Sequence, residues 1–222
     1  MIRIAIDGPS GAGKSSLAKG LAAKLGINYL DTGALYRTVG YAAREAGIGP
    51  DDRGAVVKML ENTEIRAAFE DGVQMMYLNG RPLGDAIREN DISAYASAVS
   101  AIPEVRAFLL ETQRDIARRE SVVMDGRDIG SCVLKDAICK IYLTASVECR
   151  ALRRMAELQE KGVDTSLEII KADISDRDYR DMHRDVSPLV QAEDAVYLDS
   201  SDMGIEEVTD KIISIFNEKA GK

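Results

Sequence analysis

The chain has 222 residues, of which 45% are hydrophobic and 30% charged, a composition typical of one folded globular protein. Acidic residues number 37 and basic residues 29, so the formal net charge is -8. This charge disfavours non-specific binding to a nucleic-acid backbone, although a local cluster of arginines can still receive a small anion.

The cysteine and histidine content excludes several kinds of site. Cys132, Cys139 and Cys149 form no CxxC pair, which favours buried free thiols in a reducing cytosol. The single histidine, His183, rules out a multi-histidine zinc site and is predicted to lie at the surface. No apolar run approaches the ~18 residues of a membrane span, and the first residues lead directly into a strand-like run. We therefore expect a cytoplasmic monomer that binds neither nucleic acid nor a membrane.

Short apolar runs alternate with amphipathic helical stretches along the chain. Strands that alternate with helices favour a parallel sheet covered by helices on both faces. We therefore predict an α/β protein with a three-layer core and a five-stranded parallel sheet. The predicted strands lie at about residues 2–6, 27–31, 121–125, 138–144 and 195–199.

The alternation is interrupted near residue 60. Asp71-Gly72 and Asn79-Gly80 are hairpin-turn signals inside a stretch with alternating polarity. We predict a small β-rich insertion over about residues 61–92. The core then consists of residues 1–60 and 93–222, within a single domain.

A glycine-rich run, GPSGAGKSS, lies between the first predicted strand and the first predicted helix. It matches the pattern G-x-x-x-x-G-K-[ST] at Gly8, Gly13, Lys14 and Ser15. Backbone N–H groups surround a phosphate only where no Cβ intrudes, and a helix N-terminus together with Lys14 adds positive charge. We predict that this run binds the phosphates of a nucleoside triphosphate, with a hydroxyl of Ser15 or Ser16 for Mg²⁺ or a phosphate. The predicted nucleotide-binding residues are Gly8, Pro9, Ser10, Gly11, Ala12, Gly13, Lys14, Ser15 and Ser16.

Two further segments place polar residues just after predicted strands. Asp31, Thr32 and the following glycine stand at a helix entry, where either a plain helix cap or an anion site fits. Asp125 stands at the tip of a buried-type strand, which is the usual position of a carboxylate that anchors Mg²⁺. Arg127 follows it, so either an anion site or a surface turn with a salt bridge is compatible with the sequence.

Arginines are concentrated in two predicted helices. Arg177, Asp181 and Arg184 are spaced i, i+4 and i+7, so we predict that they share one helix face. Arg153 and Arg154 lie in an earlier helix and could close over developing phosphate charge. A solvated charged face remains an alternative for both helices.

Taken together, these stretches resemble the nucleoside monophosphate kinases among the P-loop NTPases, and within them the bacterial cytidylate kinases. The resemblance extends from residue 2 to about residue 215. The matching segments are IDGPSGAGKSS, LDTGALYR, the β-rich insertion, ASAVSAIPEVR, MDGRDIG, LRRMAELQEKG and DRDYRDMHRDVSPL.

The resemblance implies a reaction and a set of site residues. ATP, with Mg²⁺ held through Ser15 and Asp125, would phosphorylate CMP and dCMP to CDP and dCDP by in-line transfer. The insertion would be a monophosphate-binding subdomain, and about residues 150–165 would form a helical lid. The implied catalytic residues are Lys14, Arg37, Asp125, Arg127, Arg153 and Arg154. The implied acceptor-phosphate residues are Thr32, Arg37 and Arg127, and Asp31 is a further substrate-binding residue. The implied base-reading residues are Ser97, Arg106, Asp128 and Arg184, and the implied sugar-binding pair is Arg177 and Asp181.

Other functions remain open at this point. The phosphate loop and core alone do not separate this activity from a kinase that acts on UMP, AMP or shikimate. A nucleotide-binding switch is a less favoured alternative, since the sequence contains no N-K-x-D string. A catalytically inactive binding protein is disfavoured by the presence of Lys14, Asp125 and the arginines.

Overall fold

The computed structural model describes residues 1–89, 91–160 and 162–221. Asn90 of the predicted insertion, Lys161 of the predicted lid and Lys222 therefore lie outside the described residues. Across the described part of the chain, no helix has the length and apolar character needed to cross a membrane.

A parallel sheet forms the centre of the fold, as the sequence predicts. The strands of the described residues are β1 (Arg3–Asp7), β2 (Asn28–Asp31), β3 (Ile65–Glu70), β4 (Val73–Leu78), β5 (Arg81–Pro82), β6 (Val122–Gly126), β7 (Cys139–Thr144) and β8 (Val196–Asp199). Five of them form one sheet in the order β2-β6-β1-β7-β8. Two neighbouring pairs of strands are parallel. Ile4 of β1 lies opposite Cys139 of β7, and Leu143 of β7 lies opposite Leu198 of β8. Each of the five predicted strands is confirmed to within one residue at either end.

Helices follow most of these strands. The α-helices of the described residues are α1 (Lys14–Leu25), α2 (Thr32–Glu45), α3 (Arg53–Leu60), α4 (Ile92–Val99), α5 (Pro103–Arg119), α6 (Val147–Glu160), α7 (Leu167–His183) and α8 (Ile205–Lys219). A 3₁₀ turn covers Gly84–Arg88, and a π-helical turn covers Ile129–Val133. Pro103 begins α5, where its missing N–H costs no helix hydrogen bond.

The chain divides into two compact units, of which the first contains residues 26–122 together with Met1. Its core is built around α2, whose residues Leu35 and Val39 are fully buried. The strands β3, β4 and β5 form an antiparallel sheet in this unit, which confirms the β-rich character of the insertion. Asp71 and Asn79 both have positive φ angles, as do the glycines that follow them, and this geometry is typical of tight hairpin turns.

The second unit contains residues 2–25 and 123–222. Ile4 and Ile6 of β1 are both fully buried, as expected for a strand covered on both faces. The helices α6 and α7 pack against each other through Ala151, Ile170 and Ile174. This hairpin holds the two arginine-rich segments of the sequence.

The chain leaves α7 earlier than the spacing of its arginines predicts. The helix ends at His183, and Arg184 has extended backbone angles, with φ -70° and ψ 144°. The prediction that Arg184 shares a helix face with Arg177 and Asp181 is therefore wrong. The physical reason is a chain reversal in which the Leu189 N–H donates to the Asp181 carbonyl at 2.8 Å, just after a proline that cannot continue a helix.

The predictions about single residue types have mixed outcomes. All three cysteines are free thiols, but only Cys139 is buried, so the prediction of burial is wrong for Cys132 and Cys149. His183 is exposed, stacks on the ring of Tyr179 and uses Nδ1 to hydrogen-bond the Tyr179 carbonyl at 2.8 Å.

Candidate active site

The glycine-rich loop connects β1 to α1 in the second unit. Gly8 has a φ of 152°, and a Cβ at this position would lie 1.9 Å from the Leu143 carbonyl oxygen, so only glycine fits. Gly11, Gly13 and Ser15 are exposed, so their N–H groups and the first turn of α1 are accessible to a ligand. The loop therefore has the form of a phosphate-binding cradle.

Lys14 is held inside this loop. Its Nζ donates a 2.7 Å hydrogen bond to the Pro9 carbonyl, and the residue is only 5% exposed. The pKa of Lys14 is lowered to about 7, chiefly by burial and then by the positive charge of Arg127, whereas Asp125 and Asp181 oppose the shift. An anion bound in the loop would favour the charged form of this lysine.

Ser15 and Asp125 place two oxygen atoms beside the loop. The Ser15 hydroxyl donates to Asp125 Oδ2 at 2.8 Å, and Asp125 is buried at the end of β6. Mg²⁺ prefers hard oxygen ligands and takes many of them from phosphates and water, so these two oxygens fit this ion. Within residues 1–89, 91–160 and 162–221, no group of three or more His, Cys, Asp or Glu side chains could hold a metal on its own.

A cavity of about 540 Å³ extends from the loop toward the start of α8. Its walls are formed on one side by the loop and on the other by apolar side chains that include Leu143, Met203 and Val208. Arg153 also lines it and donates to the Ser200 carbonyl at 2.8 Å. The cavity is large enough for the part of a nucleotide that lies beyond its phosphates.

Arginines and carboxylates alternate along a chain of contacts in the same unit. Arg127 Nε donates to Asp181 at 2.6 Å. Arg184 lies 3.8 Å from the other oxygen of Asp181 and 3.6 Å from Asp128. Burial, followed by the charge of Arg127, lowers the pKa of Arg177 below its usual value. These positive groups therefore lie close enough to influence one another.

Sequence reasoning missed Asp7, which supports this chain of charges. Its two carboxylate oxygens accept hydrogen bonds from the N–H groups of Ile129 and Gly130, at 2.8 and 2.7 Å. Burial raises the pKa of Asp7 to about 6. These bonds fix the backbone turn directly after Arg127 and Asp128. The position of Asp7 at the carboxyl end of a strand was the signal that could have identified it.

The first unit contains the other predicted substrate residues, beginning with the entry to α2. Asp31 caps this helix by accepting from the Ala34 N–H at 3.1 Å. Its other oxygen accepts from Arg37 Nη2 at 2.6 Å, while Thr32 is buried beside it. Asp31 therefore both caps α2 and holds the side chain of Arg37. Because Arg37 is the group that would bind an anion, a helix cap and an anion site can coexist at this position.

Arg106 and Ser97 are connected within this first unit through the end of α4. Arg106 is buried on α5, donates to the Ser100 carbonyl at 3.3 Å and lies over the ring of Tyr36, 5.5 Å from its centroid. The Ser100 hydroxyl donates to the Ser97 carbonyl at 2.8 Å. The helices α4 and α5 thus present both predicted base-reading residues of this unit.

The predicted site residues therefore form one set in each unit. Arg154 does not line the cavity, since it faces solvent and pairs with Glu157 at 3.0 Å. The predicted residues Asp125, Arg127 and Asp181 also lie outside the cavity lining. Two functional features were not found in the sequence: the cavity wall from Ser200 to Val208 and the buried carboxylate of Asp7. The loop that follows the last strand was the available signal for the wall, because ligands in parallel sheets bind at the carboxyl ends of strands.

Comparison with known proteins gives a consistent result. The family model described as cytidylate kinase matches residues 4–218. The cytidylate kinase of Ligilactobacillus salivarius is 48% identical over 218 residues, covering 98% of this chain and 97% of its own. The cytidylate kinase of Caldicellulosiruptor bescii is 46% identical over 215 residues, covering 97% and 95%.

Solved structures share the fold at much lower sequence identity. An uncharacterized protein from Eubacterium ventriosum superposes with a TM-score of 0.55 at 15% identity, covering 98% of this chain and 99% of that protein. Shikimate kinase from Acinetobacter baumannii superposes with a TM-score of 0.50 at 18% identity, covering 100% and 96%. At this level of identity the likeness shows a common fold.

Proposed function

This chain belongs to the cytidylate kinase family, and we propose on that premise that it transfers the γ-phosphoryl group of ATP to CMP and dCMP. The products are ADP and CDP or dCDP. The observation that carries the proposal is the neighbourhood of Lys14, where the phosphate loop adjoins Asp125, Arg127 and Asp181. Such a site combines a triphosphate cradle with the charges that a second phosphate needs.

On the donor side, the loop from Gly8 to Ser16 binds the ATP phosphates. Lys14 exchanges its hydrogen bond with the Pro9 carbonyl for the terminal phosphates. The rest of the nucleotide occupies the cavity beside the loop. Because burial disfavours the charged lysine in the absence of a ligand, ATP provides the negative charge that stabilises it.

The oxygens of Ser15 and Asp125 would hold Mg²⁺ together with the nucleotide, either directly or through water. When bound, the ion would neutralise the charge that develops on the phosphates during transfer. The hydrogen bond between Ser15 and Asp125 keeps the hydroxyl and the carboxylate oxygen next to each other.

On the acceptor side, we assign the phosphate of CMP to Thr32, Arg37 and Arg127, with Asp31 orienting Arg37. Both arginines are already paired with carboxylates, Arg37 with Asp31 and Arg127 with Asp181. A phosphate is a stronger bidentate partner for a guanidinium than a single carboxylate contact, so it can share or replace these pairs. The base is assigned to Ser97, Arg106, Asp128 and Arg184, and the sugar to Arg177 and Asp181.

The transfer step needs no covalent enzyme intermediate. An ionised oxygen of the acceptor phosphate forms a bond to the γ-phosphorus, while the bond between that phosphorus and the leaving ADP oxygen breaks. Lys14, Arg37, Arg127 and Arg153 stabilise the charge, and each well-placed donor is worth about 3 kcal/mol of barrier. Arg154, which faces solvent and pairs with Glu157, would join them on closure of the lid. Closure of about residues 150–165 would exclude water and protect ATP from hydrolysis.

A coupled assay of ADP release tests this function. ATP is offered with CMP, dCMP, UMP, AMP and shikimate, each in separate reactions. The proposal predicts that CMP and dCMP give the highest kcat/KM. The proposal would be contradicted if ADP release were fastest with shikimate or AMP, or if its rate did not depend on which acceptor is present. We further expect a monomer in the cytoplasm, which gel filtration and cell fractionation would check.

A further inference from the structure

The side chain of Arg150 joins three segments of the second unit. Its Nε donates to the Ala145 carbonyl after β7 at 2.8 Å. Its Nη1 donates to the Ser10 carbonyl of the phosphate loop at 2.9 Å and to Asp178 of α7 at 2.7 Å. The Arg150 side chain is only 5% exposed, so these bonds replace most of its hydration.

Asp178 completes the junction from the side of α7. Its second oxygen accepts from the Ser10 N–H at 3.3 Å. Both backbone polar groups of Ser10 are therefore bonded to one ion pair. The loop also rests on α6, since a Cβ at Gly11 would lie 3.4 Å from the Cβ of Arg150. The loop cannot change shape at Ser10 without disturbing Arg150 and Asp178.

The same helix α7 carries the proposed sugar-binding residues. Asp178 directly follows Arg177 and precedes Asp181 by three residues, which is about one helical turn. Asp181 in turn accepts from Arg127 at 2.6 Å. A shift of α7 that begins at Asp178 is thus transmitted within one turn to the residues assigned to the acceptor.

We propose that Arg150 and Asp178 are a positioning pair that couples ATP binding at the phosphate loop to CMP binding at α7. When the phosphate loop is ordered around a triphosphate, it favours the position of α7 in which Asp181 and Arg177 face the acceptor. Binding of the acceptor, in turn, favours the ordered loop. Linkage requires the effect to be equal in both directions. The inference rests on the proposed function, because it takes α7 as part of the acceptor site.

A second ion pair between the same helices provides a matched control. Lys171 of α7 pairs with Glu148 of α6, and both side chains are partly exposed, at 32% and 55%. This pair touches neither Ser10 nor any residue assigned to a substrate. Its loss should leave the coupling between the two sites unchanged.

Titration calorimetry with CMP and a non-hydrolysable ATP analogue tests the proposal. CMP is titrated into the full-length protein with and without saturating analogue, which gives a coupling factor. For the unaltered protein, we expect the analogue to strengthen CMP binding by about 5-fold or more. Arg150→Met and Asp178→Asn should bring this factor close to one, whereas Glu148→Gln should retain it.

A double variant separates coupling from folding. Replacement of a buried ion pair by apolar residues of similar volume is often neutral for stability, so Arg150→Met combined with Asp178→Leu should fold. A folded double variant that has lost the coupling factor supports the proposal. A double variant with the same coupling factor as the natural protein overturns the proposal. The proposal is also overturned if the natural protein shows no coupling, or if the single variants lose thermal stability but keep the coupling factor.

Failure of the proposed function has a different signature. In that case the unaltered protein gives no ADP release with CMP, and the substrate panel identifies another acceptor. That acceptor then replaces CMP in the same titrations, so the role of Arg150 and Asp178 is decided in either case.

Discussion

The Ser15 hydroxyl, in the first turn of α1, donates a 2.8 Å hydrogen bond to Asp125 at the end of β6. This contact joins the helix that receives phosphate charge to the strand that supplies a carboxylate. Because both oxygens are suited to Mg²⁺, the contact marks the place where the metal and the nucleotide are expected to meet.

Asp125→Asn should lower kcat by about 10- to 100-fold and raise the Mg²⁺ concentration that gives half-maximal activity. The substitution keeps the shape of the side chain but removes its negative charge. Steady-state assays over a Mg²⁺ series measure both effects. Asp136→Asn is the control, since Asp136 is exposed and pairs with Arg3. If the Mg²⁺ dependence is unchanged in Asp125→Asn, the Asp125 carboxylate does not bind the metal.

The lowered pKa of Lys14 predicts a pH-dependent stability. The pKa is about 7 in the folded chain and 10.5 in the unfolded chain, chiefly because of burial. Between these values the unfolded chain binds a proton that the folded chain has released, so the free energy of unfolding rises with pH in this window. Below about pH 7 the contribution is constant and unfavourable.

Lys14→Met removes this titration. The free energy of unfolding of the natural protein minus that of the variant should therefore increase from about pH 7 upward and stay level below it. Urea unfolding at a series of pH values measures the difference. Parallel curves across the whole range would show that Lys14 has an ordinary pKa.

Asp181→Ala should raise the KM for CMP by about tenfold or more and leave the KM for ATP nearly unchanged. The substitution removes a proposed sugar contact and the carboxylate that orients Arg127. Asp176→Ala, at an exposed position on the same helix, is the control. A change confined to the KM for ATP would mean that the acceptor site is assigned wrongly.

Two glycine substitutions should have opposite effects on stability. A Cβ at Gly40 would lie 2.9 Å from the Cβ of Tyr95, because α2 and α4 pack closely, so Gly40→Ala should destabilise by about 1–3 kcal/mol. A Cβ at Gly20 meets no atom within 4 Å, so Gly20→Ala should stabilise α1 by about 0.5–1 kcal/mol. Thermal unfolding measures both. Equal effects would contradict the tight contact at Gly40.

Much of the fold was predictable because its signals are local. Asp71-Gly72 and Asn79-Gly80 adopt the positive φ angles that hairpin turns require, and the predicted strands lie within one residue of the observed ones. The loop from Gly8 to Ser16 was predictable for the same reason, since strand, glycines and helix follow one another directly.

The features that the sequence did not reveal depend on contacts between distant segments. Asp7 is hydrogen-bonded to residues more than 120 positions away, so its place at the end of a strand suggests a functional carboxylate but does not indicate the turn that it holds. The departure of Arg184 from α7 follows from a contact between Leu189 and Asp181, which helical spacing does not encode. The buried pair of Arg150 and Asp178 likewise looks like two ordinary charged helix positions until α6 and α7 are packed.

The proposed reaction passes a phosphoryl group from ATP to CMP. The most direct measurement supplies ATP labelled in its γ-phosphate, with CMP, and identifies the labelled product. We expect labelled CDP with the natural protein and almost none with Lys14→Met. Label that appears only as inorganic phosphate, or labelled CDP formed equally well by Lys14→Met, would contradict this reaction at the phosphate loop.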